Sequence, residues 1–121
     1  MILVDTSVWI DHLRAGNEQL VRLLQQGQVL AHPFVIGEIA LGSLRNRAEV
    51  ITDLQYLPRA IAASDAETLE FIERRALGAS GIGYIDAHLL AGARLTPECK
   101  LWTRDKRLQK VAAKLDLAAA I

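Results

Sequence analysis

The chain has one cysteine, Cys99, three prolines and an aromatic content of only 5%. A single thiol excludes an internal disulfide and a thiolate zinc site. No apolar run approaches the ~20 residues that a bilayer span requires, so no membrane association is expected. The opening Met1-Ile-Leu-Val-Asp5 carries no basic, cleavable leader, which makes the cytoplasm the expected compartment. Net charge is missing too, since 14 bases balance 14 acids. What remains is an ordinary globular composition, 51% apolar over 121 residues. That length suits one domain with a real core and is too short for two.

The zero net charge conceals an asymmetry. Between Arg94 and Lys114 stand seven bases (Arg94, Lys100, Arg104, Lys106, Arg107, Lys110, Lys114) against two acids, Glu98 and Asp105. Such a zone can hold phosphates, or it can be the solvated face of the last helix. The periodicity predicts a strand over 2–5, helices over 6–13 and 18–26, a strand over 29–31, and helices from Pro33 to Leu44 and over 47–56. A third strand is expected over 59–62. Ser64 and Glu67 form a capping-box pattern for a helix reaching Leu77. A glycine-rich connection, Gly78 to Gly83, leads to an apolar helix over 84–95. A strand over 100–103, a helix over 105–115 and a fifth strand over 117–121 complete the chain. Strands alternating with helices imply an α/β fold whose parallel sheet is covered on both faces. Repeats and low-complexity segments are absent.

Four acids stand alone in apolar surroundings. Asp5 follows Ile2-Leu3-Val4, and Asp105 follows Leu101-Trp102-Thr103-Arg104. Glu38 is the only charge between Gln28 and Leu44, and Asp86 the only one between Arg75 and Arg94. Carboxylates near a core are costly unless paired. Each has an ordinary explanation: helix capping for Asp5 and Asp105, an arginine partner for Glu38, the helix dipole for Asp86. Together they admit another reading. Acids at strand ends and on helix faces can converge beyond the carboxyl edge of a parallel sheet. Clustered carboxylates repel unless a cation joins them, and all-oxygen ligands suit Mg²⁺ or Mn²⁺. Such ions activate water and offset charge in phosphoryl chemistry.

Other features carry less. His12, His32 and His88 lack ligand spacing; His12 and His88 read as ends of apolar faces and His32 as a helix-entry residue. Ser7 sits in no nucleophile elbow. Gly81-Ile-Gly83 falls short of a phosphate loop. Trp9 and Trp102 read as core or dimer-face residues. The apolar surplus around Ile36, Ile39, Leu44, Val50, Ile51 and Leu54 suggests a subunit interface.

The ordered motifs Leu-Val-Asp5-Thr-Ser, Ile-Gly-Glu38-Ile-Ala, Gly83-Tyr-Ile-Asp86-Ala-His and Leu-Trp-Thr103-Arg-Asp105 resemble a PIN domain. More narrowly, they are similar to the VapC toxins of bacterial VapBC toxin–antitoxin pairs. The likeness spans nearly the whole chain. It implies a single PIN-like three-layer sandwich over 1–121, its central parallel sheet of four to five strands flanked by helices. It implies an endoribonuclease dependent on Mg²⁺ or Mn²⁺, with Asp5, Glu38, Asp86 and Asp105 as metal-holding and catalytic acids. Thr6, Ser7 and Thr103 match the family's hydroxyl positions and would orient the carboxylates. An activated water would attack the phosphate in line, leaving a 5′-phosphate and a 3′-hydroxyl. Arg104, Lys106 and Arg107 would anchor flanking RNA phosphates; the latter two stand where some members carry a further acid. The resemblance also implies a homodimer inhibited by a VapB-like antitoxin, whose tail covers the acids and through which the complex binds operator DNA.

Two readings compete. A phosphoacceptor receiver domain has a similar length and build, but expects paired acids after the first strand and an Asp ending the third. Here Thr6 follows Asp5, and Asp53 falls in a helix pattern. A PIN-like module that only binds would not need all four acids.

Overall fold

Three short strands, all parallel, carry the sheet: β1 (Ile2–Val4), β2 (Val29–Leu30) and β3 (Lys100–Trp102). In the computed structural model, which describes residues 1–121, their order is β2-β1-β3. Ile2 lies opposite both Val29 and Lys100, and Val4 opposite Trp102. The chain leaves β1 toward β2 on one side and later crosses back to β3 on the other, so a crevice opens between β1 and β3 at their carboxyl ends. Asp5 and Thr103, the next residues of the two strands, enter it.

Seven helices cover the sheet: α1 (Thr6–Ala15), α2 (Glu18–Gln25), α3 (Pro33–Ala40), α4 (Arg47–Tyr56), α5 (Asp65–Arg74), α6 (Tyr84–Leu95) and α7 (Lys106–Lys114). Their boundaries follow local chemistry. Gly16, at φ 78°, ends α1 in a conformation that costs glycine little, and Asn17 caps α2 by accepting from Leu20 N at 2.9 Å. Ser64 and Glu67 make the reciprocal capping box of α5. The core is continuous, with Leu3 and Val4 of β1 packed among Leu20, Leu89, Leu90, Leu101 and Leu108.

The expected third and fifth strands are each reduced to one bridge, Ala31 with Arg59 and Leu101 with Ala118. They extend the parallel sheet to five positions without forming ladders. Pro58 has no N–H to donate, and Ile61 N donates to Thr96 Oγ1 at 2.8 Å instead of to a strand. Helix α3 ends at Ala40, short of Leu44. Of the apolar surplus, Ile36, Ile39 and Leu54 are buried, and Leu44, Val50 and Ile51 pack against the core.

One contact fixes the seating of α6. A Cβ on Gly92 would stand 2.7 Å from the carbonyl oxygen of Ile61 and 3.6 Å from the His32 ring. Gly92→Ala therefore gains helix propensity but must displace backbone, for an expected net loss of about 2 kcal/mol. Gly37 on α3 has nothing within 4 Å of that position. There the same substitution should stabilise by roughly 0.5–1 kcal/mol. Urea midpoints of the two variants check both signs.

Candidate active site

Asp5 is built into the fold more firmly than a cap requires. It is 6% exposed, and its Oδ1 accepts from Thr6 N at 2.8 Å. Its Oδ2 accepts from Ser7 Oγ at 2.9 Å and Thr103 Oγ1 at 2.7 Å. Both hydroxyls are themselves oriented: Ser7 Oγ accepts from Arg104 N and Thr103 Oγ1 from Asp105 N, each at 3.0 Å. A hydroxyl has one proton, so accepting an N–H leaves that proton for the carboxylate. The loop after β3 thereby holds the acid after β1.

The other three acids are held by one oxygen each. Glu38 Oε1 accepts from Thr6 Oγ1 at 2.7 Å, which ties α3 to the start of α1. Asp86 Oδ2 accepts from Gly83 N at 3.1 Å, and Asp105 Oδ1 accepts from Leu108 N at 3.0 Å as the cap of α7. The second oxygen of each makes no hydrogen bond within the protein. Capping and convergence are thus not rivals. Capping is how three of the four carboxylates are oriented.

No lysine, arginine or histidine forms an ion pair with any of the four. The arginine partner that would explain Glu38 is absent, and Glu38 is exposed, not buried in an apolar stripe. Its neighbours Phe34 and Leu41 are exposed as well, while Val35 and Ile39 face the core. Asp86 is half-buried, and its carboxyl is pushed above the ordinary range. Burial is the largest cause, with the Gly83 N–H opposing it; the charges of Asp5, Asp105 and Glu38 raise it further. No cation is among the groups acting on it. The structure therefore brings all four acids into one electrostatic field. It does not close three of them around a point.

Oxygen donors, uncompensated negative charge and unpartnered carboxylate oxygens fit a hard divalent cation. The open spacing fits an ion that keeps several of its waters. Around this centre, the basic residues divide. Arg104 is paired with Asp11, which also holds Arg14 at 3.2 Å. Lys106 and Arg107 are exposed and make no ion pair.

Two histidines brace the site from behind. His32 caps α3, its Nδ1 accepting from Phe34 N at 3.0 Å. Burial first, then His88 and Arg59, lower its pKa to about 4, so the ring is neutral at pH 7. His88 is buried one half-turn past Asp86, with the rings of Phe34 and Tyr84 each centred 4.7 Å away. Thr68 Oγ1 lies 3.1 Å from its Nδ1. These rings join α3 to α6 behind Glu38 and Asp86. Sequence reasoning missed this brace: Tyr84, four residues before His88 on α6, was its one signal at helical spacing, and Phe34 and Thr68 reach the ring from other helices.

A parallel sheet with acids gathered at its switch point defines the class. The chain belongs to the PIN-domain family, whose sequence profile matches residues 2–114. Within that family it is similar to the VapC proteins. "Ribonuclease VapC32" of Mycobacterium tuberculosis, in both the CDC 1551 / Oshkosh and ATCC 25618 / H37Rv strains, is 45% identical over 120 residues, covering 99% of this chain and 97% of that protein. Among solved structures, the crystal structure of FitAcB from Neisseria gonorrhoeae superposes with a TM-score of 0.64. It covers 98% of this chain and 95% of that one at 22% identity, a likeness of fold.

Proposed function

We propose that this chain is a metal-dependent endoribonuclease and the toxin of a type II toxin–antitoxin pair. The observation that carries the chemistry is the set of four uncompensated acids, three of them anchored by one oxygen and offering the other. Membership of the PIN-domain family and the ribonuclease name of its 45%-identical relatives support RNA as substrate.

Asp5, Glu38, Asp86 and Asp105 are the residues that would hold Mg²⁺ or Mn²⁺, directly or through water. A bound cation supplies Lewis acidity toward water and phosphate and offsets the charge developing in the transition state. The chain's own part is orientation. Ser7 and Thr103 fix Asp5 as a carboxylate acceptor, and Thr6 fixes Glu38. Gly83 N holds Asp86 by one carboxylate oxygen and leaves the other free to meet the ion or its water. Lys106 and Arg107 lie on the side of the basic zone free to meet RNA phosphates.

The partner assignments rest on surface features. A cleft of about 850 Å³ borders Glu38 and is lined by Ile10, Leu13, Leu44 and Val50 together with Arg14 and Arg45. An apolar segment of a VapB-like antitoxin seated there would reach over the acids. Operator binding would then fall to the antitoxin. Leu41 and Tyr56, 89% and 84% exposed, are large apolar side chains suited to a homodimer contact. No helix is long and apolar enough to cross a membrane.

Purified, antitoxin-free protein should cut total cellular RNA in Mg²⁺ or Mn²⁺ and stop on addition of a chelator. Glu38→Gln should reduce cleavage on the order of 100-fold or more, since it removes one anionic ligand. Cleavage that persists without divalent ions, or an absence of cleavage in either metal, would overturn the assignment.

A further inference from the structure

We infer that Arg107 is the phosphate-anchoring residue of this site and that Gly81 is the platform that positions it. The inference rests on the nuclease reading and names the side chain that meets the substrate strand.

Gly81 lies in the connection leading into α6, five residues before Asp86. Its φ is +88°, and a Cβ built there would stand 3.2 Å from Arg107 Cδ, 3.4 Å from one terminal guanidinium nitrogen and 3.6 Å from Nε. The guanidinium is laid against the Gly81 backbone, in space that a side chain would occupy. Arg107 is the second residue of α7, two after Asp105. It therefore spans from the helix capped by Asp105 to the loop that presents Asp86. Despite that position it forms no ion pair with either acid, nor does any hydrogen bond occupy its donors.

The neighbouring bases contrast with it. The guanidinium of Arg104 is held by Asp11, a carboxylate outside the four. Lys100 donates to the Asp116 carbonyl at 2.6 Å, and Arg94 to the Leu115 carbonyl at 2.8 Å. Lys106 is free, but no platform holds it. A guanidinium resting on a backbone has lost part of its rotamer freedom before it meets a ligand, so less is lost on binding. Its planar fork suits a phosphodiester, which four nearby carboxylates would otherwise repel. Arg107 would draw the strand to the edge of the acids without neutralising them.

The test separates binding from cleavage. A single-stranded RNA oligonucleotide is titrated in Ca²⁺ at several salt concentrations against the full-length protein and its variants. Arg107→Gln should weaken binding about 10-fold and reduce the slope of log affinity against log salt by ~0.7, the value of one phosphate contact on a single strand. Lys114→Gln removes the same charge from the far end of α7, roughly 10 Å along the helix, and should change affinity less than two-fold. In Mg²⁺, Arg107→Gln should raise KM and leave kcat within about two-fold, because the acids are untouched.

Gly81→Ala should mimic Arg107→Gln by displacing the guanidinium, and add nothing further in the Arg107→Gln background. Equal losses for Arg107→Gln and Lys114→Gln would overturn the inference. So would additive losses for the Gly81 and Arg107 variants, or a loss confined to kcat. The binding arm reads Arg107 whether or not the RNA is cut. Tight, Arg107-dependent binding without cleavage would thus sink the nuclease reading while sparing this one.

Discussion

Asp86→Asn is expected to raise the melting temperature in chelator at pH 7 by a few degrees, and to abolish cleavage in Mg²⁺ or Mn²⁺. The two effects have one cause. Asp86 carries its charge in a half-buried position, facing three other carboxylates and no cation. Its folded pKa lies above the unfolded value, so its contribution to stability is most favourable below the unfolded pKa. It is lost as pH rises through the folded pKa. At pH 7 the unfavourable charge is fully present, and asparagine removes it. The amide oxygen can still accept from Gly83 N, so the first turn of α6 keeps its anchor.

Two controls follow from the sign. The stability difference between variant and native protein should shrink as pH falls and the native Asp86 takes up its proton. Adding Mg²⁺ or Mn²⁺ should reverse the order at pH 7, because the native protein gains stability by mass action and the variant gains little. A saturating ion at 100 times its dissociation constant is worth about 2.7 kcal/mol, larger than the relief of repulsion. Calorimetry of both proteins with and without metal checks the set. A variant less stable than native protein in chelator would show that Asp86 makes a favourable contact in the metal-free fold, contrary to the charges around it.

The same charges explain what could be read from the sequence. Asp5, Glu38, Asp86 and Asp105 were legible because isolated acids in apolar runs are an energetic anomaly that the chain itself displays. Alternating strand and helix patterns sufficed for the parallel α/β fold, since burial on both faces leaves continuous apolar strands. Contacts between distant segments left no such trace. Nothing about Asp11 announces that it holds Arg104, and nothing about Gly81 announces the guanidinium laid upon it. The apolar surroundings of Glu38 also misled: its helix exposes Phe34 and Leu41 beside it. Pattern reasoning assumes that an apolar neighbour is a buried one. Over 59–62 the miss was chemical, a proline and a diverted N–H turning an expected strand into a bridge.

Asp5→Asn is expected to abolish cleavage and also to destabilise the protein, the opposite stability sign from the same substitution at Asp86. Removing an anionic ligand forfeits several kcal/mol of charge stabilisation, on the order of 10³-fold in rate. The stability loss comes from counting donors. Oδ2 of Asp5 receives the protons of Ser7 and Thr103, and Oδ1 receives the N–H of Thr6. An asparagine can keep only one side. With its oxygen toward the hydroxyls, its NH₂ meets the Thr6 N–H, donor against donor. With its NH₂ toward the hydroxyls, both protons lose the carboxylate, and the 3.3 Å contact between Ser7 Oγ and Thr103 Oγ1 can take up only one of them. Either orientation leaves an unsatisfied donor where only 6% of the residue meets solvent. The expected cost is about 1–3 kcal/mol. Chemical denaturation in chelator reads it free of any metal effect. Thr103→Val should recover part of that loss in the Asp5→Asn background by removing one competing proton, although alone it destabilises. If Asp5→Asn and Asp86→Asn shift stability in the same direction, the hydroxyl network does not hold Asp5 as the geometry implies.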